Sequence, residues 1–178
     1  MTRLPPVPYE EWDADALRPL TGGRKAPPSN ALGLLVHHPA LAEAFLTFNT
    51  HLLARNSLPD KMRELAILRV ARRRGCRYEW AQHVLIGRRA GVSEEELEQV
   101  RTGAGTLVNR AVDELDTSSA LSDATYAELA RKLDARQLLD FVFTVGAYGL
   151  LAMAFNTFEV ELDPGLAPGP DPDGAEAG

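Results

Sequence analysis

A chain of 178 residues with 45% hydrophobic and 25% charged residues has the size and composition of one globular domain with a real core. A formal net charge of −6 argues against general affinity for nucleic acid. The single cysteine, Cys76, excludes an internal disulfide and every zinc-type cysteine spacing.

Residues 1–30 carry prolines at 5, 6, 8, 19, 27 and 28 and the pair Gly22-Gly23, which predicts an extended arm rather than a packed element. Tyr9 and Trp12 are its apolar handles, fit to lie across the body or across a neighbouring subunit. The arm has no apolar signal core, so the expected home is reducing and cytoplasmic. From residue 39 the pattern turns helical. Leu41, Ala44, Phe45, Phe48 and Leu52 recur at three- and four-residue intervals to about residue 54. A second helix opens at Pro59-Asp60 and stops at Gly75, following the usual proline-first, glycine-last asymmetry. The basic run Arg72-Arg73-Arg74 at its end reads as a solvated helix terminus, or as a patch for an anionic group or a neighbouring subunit.

A third helix runs from about Tyr78 to Ala90 and stops at Gly91. The fourth starts at Ser93, which forms a capping-box pattern with Glu96. Two more are expected over about 105–116 and 123–133, the latter capped by Ser122. The last covers about 135–157, with Asp134 and Gln137 as an approximate capping box. Within it, LLDFVFTVGAYGLLAMAF (138–155) approaches membrane-spanning length, but Asp140 interrupts it and no basic cluster flanks its end. It therefore reads as a buried helix, whose Gly146 and Gly149 allow close approach by another helix. Being apolar nearly all round, it needs neighbours on several sides, which a symmetric oligomer supplies most easily. No strand pattern or repeat is evident, and DPGLAPGPDPDGAEAG (163–178) reads as a disordered tail. The expected organisation is an arm (1–30), an all-α helical domain (31–162) and a tail (163–178).

Chemistry concentrates in GCRYEWAQH, residues 75–83. Glu79 and His83 are four apart and share a helical face, and Cys76 joins the stripe at the helix start, where a thiolate is favoured. A hairpin between the second and third helices brings Glu64 opposite His83. A histidine with two carboxylates suits proton transfer, one orienting the imidazole and the other held protonated by burial. The same spacing also fits a surface Glu–His pair with Cys76 as a small core residue. Metal binding has little support, since there is no HExxH or His-x-x-x-His; GxGxxG, P-loop and GxSxG motifs are absent too.

The stretch LPDKMRELAILRVARRRGCRYEWAQHVLIGRRAGVSEEELEQV, residues 58–100, resembles the core of the carboxymuconolactone decarboxylase family, which includes alkylhydroperoxidase D. "RELAIL", "YEWAQH" and "GRRAGVSEEEL" carry the likeness, and weaker similarity extends it over most of residues 30–162. The redox branch of the family uses a glutamate, a Cys-x-x-Cys pair and a histidine four residues on. Those positions fall on Glu64, Cys76, Glu79 and His83, so the second cysteine is replaced by a carboxylate. A dithiol peroxidase cycle needs two sulfurs. The resemblance therefore favours the decarboxylase branch, which needs no cofactor.

The resemblance implies an alkylhydroperoxidase D-like helical bundle assembled as a trimer or hexamer, acting on a small-molecule substrate without nucleic acid or membrane partners. His83 would be the acid or proton relay, tuned by Glu79 and Glu64. Tyr78 and Trp80 would line the pocket, and Arg69 or Arg73 would grip a substrate carboxylate. The alternatives are a single-cysteine peroxidase using Cys76 and a non-catalytic oligomeric binding protein.

Overall fold

Among the described residues, 2–167 of the computed structural model, every regular element is a helix. In chain order the α-helices are α1 (Arg18–Thr21), α2 (Asn30–Leu35), α3 (Pro39–Thr50), α4 (Asp60–Arg73), α5 (Arg77–Arg89), α6 (Glu94–Thr102), α7 (Leu107–Ser118), α8 (Asp123–Ala130) and α9 (Ala135–Thr157), with a short 3-10 turn at Tyr9–Glu11 before them. The boundaries follow local chemistry. Ser93 and Glu96 close a reciprocal capping box at the start of α6, and Asp134 with Gln137 does the same for α9. Gly75 sits at φ +59, a left-handed conformation that ends α4 and turns the chain directly into α5.

The fold is organised around α4, which packs against α5, α6, α7 and α9. Its buried residues therefore face two cores. Ile67 and Val70 meet Ala111 and Val112 of α7 and Phe141, Ala152 and Phe155 of α9. Leu68 and Ala71 meet Trp80 and Val84 of α5 and Leu97 and Val100 of α6. The α4–α5 hairpin is tight at Gly87, where a Cβ would lie 3.4 Å from a Leu68 methyl and 3.6 Å from the Glu64 Cβ. That closeness keeps the Glu64 face of α4 against the His83 face of α5.

Three regions differ from the sequence expectation. The N-terminal arm is packed: it contains α1, and Ala16, Leu17 and Ala26 are buried, Leu17 in a small core with Val36 and Leu46. The Val7 N–H donates to the Gly33 carbonyl at 3.0 Å, and any Cβ at Gly33 would lie 2.6 Å from that of Pro6. The apolar residues of the arm, rather than its prolines, decided its fate. Next, α3 gives way to a π-helical turn, His51–Arg55, before Asn56 leaves the helix. Finally, a Cβ added at Gly146 would meet no neighbouring atom within 4 Å, and one at Gly149 would meet only an Arg74 nitrogen at 3.9 Å, so neither glycine serves a helix contact within this chain.

Helix α9 is long and apolar enough to cross a membrane by length and composition alone, yet half of its most apolar window is buried against the other helices. Asp140 is accommodated by specific partners. It accepts hydrogen bonds from the Ser57 amide (2.7 Å) and hydroxyl (2.6 Å) and pairs with the His51 Nε2 at 2.9 Å. Burial alone would raise its pKa, but these donors outweigh it and hold the carboxyl below its ordinary value. Leu139, Phe143, Leu150 and Met153 of α9 are more than half exposed, a stripe running the length of the helix, and Leu139 and Phe143 border the same groove as Asp140. Of the tail expected from residue 163, residues 168–178 lie outside the described residues, whereas Asp163 is firmly tied into the body.

Candidate active site

Glu64 projects from the middle of α4 and His83 from the middle of α5, and the tight hairpin brings their side chains together. The His83 Nδ1 lies 2.7 Å from the Glu64 Oε2, and Glu64 is fully buried. Its other oxygen accepts from the Arg63 Nε at 3.0 Å, while the Arg63 Nη1 reaches Asp60 at 2.8 Å. Glu64 is thus a satisfied buried carboxylate with a cation on one side and an imidazole on the other. Such a carboxylate accepts from Nδ1–H, which fixes the tautomer and leaves Nε2 as the basic ring nitrogen. The edge of the Tyr148 ring packs perpendicular to the imidazole, with centroids 5.0 Å apart, so the ring plane is fixed as well.

His83 and Glu79 both line a cavity of about 270 Å³ between α2, α3, α5 and α9. Its walls are mostly hydrocarbon, including Leu32, Phe45, Leu53, Ile86, Leu151 and Phe155. Glu79 is 2% exposed, and apart from the weak donor Cys76 its carboxyl oxygens have no hydrogen-bond partner. Burial pushes its pKa up to about 8, against a smaller downward pull from the neighbouring Cys76 thiol. At neutral pH it is therefore mainly a carboxylic acid, one helical turn from the imidazole. Asn49, also on the cavity wall, has a buried carbonyl oxygen without a partner.

Tyr78 and Gln82 of the cavity wall are held by a polar clamp behind them. The Tyr78 hydroxyl donates to the Asp163 Oδ2 at 2.7 Å, as does the Gln82 amide at 2.7 Å. The Asp163 Oδ1 accepts the Asn30 N–H at the start of α2, again at 2.7 Å. Burial first, then the Asp163 carboxylate, pushes the Tyr78 phenol up to about 12, so it remains a neutral donor.

Glu64, Glu79, His83 and Tyr78 thus come together, with Cys76 behind them at the start of α5. Cys76 is 1% exposed, and burial together with the nearby Glu79 raises its thiol pKa well above the ordinary value. The helix start does not rescue a thiolate here, because desolvation dominates. The other three expected residues lie elsewhere. Trp80 is fully buried in the core between α4, α5 and α6. Arg69 makes a two-toothed pair with Asp113 at 2.7 Å and donates to the Val100 carbonyl. Arg73 binds Asp116 and Thr117. Both arginines point to the α7 side of α4, away from the cavity. Asn49, Gln82, Tyr148 and Asp163 were not anticipated. Tyr148, a tyrosine within the apolar run that follows Asp140, was the one signal that sequence offered. Among the described residues no group of three or more His, Cys, Asp or Glu side chains is placed to hold a metal.

Residues 39–112 match the model of the carboxymuconolactone decarboxylase family, which bears out the likeness read from residues 58–100. The matched span runs from α3 into α7 and contains Glu64, Cys76, Glu79 and His83. No curated protein matches the chain. Among solved structures, an uncharacterized peroxidase-related protein from Silicibacter sp. TM1040 is similar, with a TM-score of 0.67 and 15% identity over 77% of this chain and 78% of that one. At that identity the likeness establishes the all-α fold.

Proposed function

We propose that this chain is an acid–base enzyme that decarboxylates or isomerises a small lactone or other enolisable acid in the cavity beside His83. The single observation that carries the reading is the Arg63–Glu64–His83 chain, which ends in a basic Nε2 on a cavity wall that also presents a buried, protonated carboxyl. In this scheme Nε2 takes a proton from, or returns one to, a carbon conjugated with a carbonyl. Glu64 stabilises the imidazolium that forms, and the Glu79 carboxyl hydrogen-bonds the oxygen on which charge develops.

The alternative, peroxide reduction by Cys76, has less support, because a buried thiol of raised pKa supplies little thiolate. We also infer that the chain self-associates through the exposed apolar stripe of α9, as the trimeric or hexameric habit implied by the resemblance requires. The test of function is turnover of unsaturated lactones by the His83→Ala variant. A loss of about 100-fold or more with the helical circular dichroism unchanged is expected, the usual contribution of a positioned acid or base. Unchanged turnover would remove His83 from the chemistry.

A further inference from the structure

The cavity is built to exclude charge. Among the described residues, no lysine or arginine is on its wall. The one cation in the His83 network, Arg63, is committed to Glu64 and Asp60 and does not reach the lining. The N-terminus of α2 is the other feature that would draw an anion, and its amides are already used. Asn30 donates to the Asp163 Oδ1, Ala31 to the Tyr78 hydroxyl and Leu32 to the Ser29 hydroxyl. Asp163, a carboxylate of the protein's own, therefore already takes up the Asn30, Tyr78 and Gln82 donors that an incoming carboxylate would need.

A substrate carboxylate entering this space would lose its water without gaining a lysine or arginine, and the charge that His83 can carry is already matched by Glu64. Desolvating an unpaired carboxylate is among the most costly steps in protein binding. The remaining contacts are of a different kind: hydrocarbon walls, the unpartnered Asn49 carbonyl oxygen, and an uncharged Glu79 carboxyl.

From this geometry we infer that the substrate is a neutral, largely hydrocarbon carbonyl compound, such as an unsaturated lactone without a free carboxylate, and that the reaction is proton transposition rather than loss of carbon dioxide. This rests on the acid–base reading above and narrows it, since decarboxylation requires the carboxylate that the cavity rejects. The step conserves every atom. His83 Nε2 removes a proton from the carbon between the carbonyl and the double bond, and the electron pair moves to the carbonyl oxygen, which accepts a hydrogen bond from Glu79. The double bond then shifts into conjugation as the imidazolium returns a proton to the far carbon.

The test is titration calorimetry on the intact protein at pH 7, with two probes that differ chiefly in charge: a carboxymethyl-substituted butenolide as its carboxylate and as its methyl ester. The ester is expected to bind at least about 10-fold more tightly than the acid. Equal affinity, tighter binding of the acid, or no binding of the ester would overturn the inference. A second arm places a cation at the rim with Ile86→Arg, a half-buried wall position one turn beyond His83. This variant should strengthen acid binding by about 10-fold or more, and unchanged acid affinity would overturn the claim that the missing cation is what excludes a carboxylate. Because the readout is binding, the outcomes separate. Preference for the ester in a protein whose His83→Ala variant still turns over keeps the neutral-substrate half of the inference and removes the proton step assigned to His83. Preference for the acid with a dead His83→Ala variant does the reverse.

Discussion

Replacing Glu79 by glutamine tests the energetic cost of a carboxyl buried without a cation. In the folded chain its pKa rises from 4.5 to about 8 because burial disfavours the anion. Between those values the folded state holds a proton that the unfolded chain releases, so stability falls as pH rises through that window and levels off above pH 8. At about 1.4 kcal/mol per pKa unit, the full effect approaches roughly 5 kcal/mol, of which about 4 kcal/mol falls between pH 5 and pH 9. Glutamine has nearly the same shape and does not titrate. Urea unfolding of both proteins across this range should therefore show the parent losing stability relative to Glu79→Gln as pH rises, with the difference flattening above pH 8. Parallel stability profiles would refute a buried carboxyl of raised pKa, and with it the claim that position 79 supplies a proton at neutral pH.

Three further outcomes follow from the same geometry. Cys76 in the folded protein should react with a disulfide reagent at least about 100-fold more slowly than in the denatured chain, since it is buried and mainly un-ionised; comparable rates would revive the single-thiol alternative. Asp163→Ala removes the acceptor shared by Tyr78, Gln82 and Asn30 and should cost about 1–3 kcal/mol in denaturant unfolding, a loss below about 0.5 kcal/mol showing that the clamp is not formed in solution. The double change Phe143→Glu and Leu150→Glu on the exposed face of α9 should shift the sedimenting species to the monomer while leaving helicity intact, and a parent protein that is already monomeric at about 100 µM would contradict self-association through this face.

Local signals carried much of this molecule. Apolar periodicity and caps such as Ser93–Glu96 and Asp134–Gln137 act within one turn of chain, so the main helices were legible from composition and spacing. The Glu64–His83 pair was legible because Gly75 implies a tight hairpin and a hairpin fixes which residues face each other. What depended on distant contacts was not. Arg69 and Arg73 carry the same guanidinium that would grip a substrate, and only the location of Asp113 and Asp116 on α7 shows that theirs is structural pairing. Trp80 shares a helix with His83, yet the face it takes is decided by α6. Asp163 lies in a stretch whose proline and glycine content reads as a tail, and its role depends on Tyr78, Gln82 and Asn30, all more than 80 residues away in sequence. The arm was misjudged for the related reason that prolines restrict helices without preventing burial, and Leu17 and Ala26 had a core to join.

The most direct test of proton transfer at His83 is exchange itself. With a non-conjugated unsaturated lactone in deuterated buffer, proton magnetic resonance follows loss of the signal at the carbon between the carbonyl and the double bond. The parent protein should accelerate that exchange, and His83→Ala should lower the catalysed rate by about 100-fold or more. Exchange by His83→Ala as fast as by the parent would contradict the account.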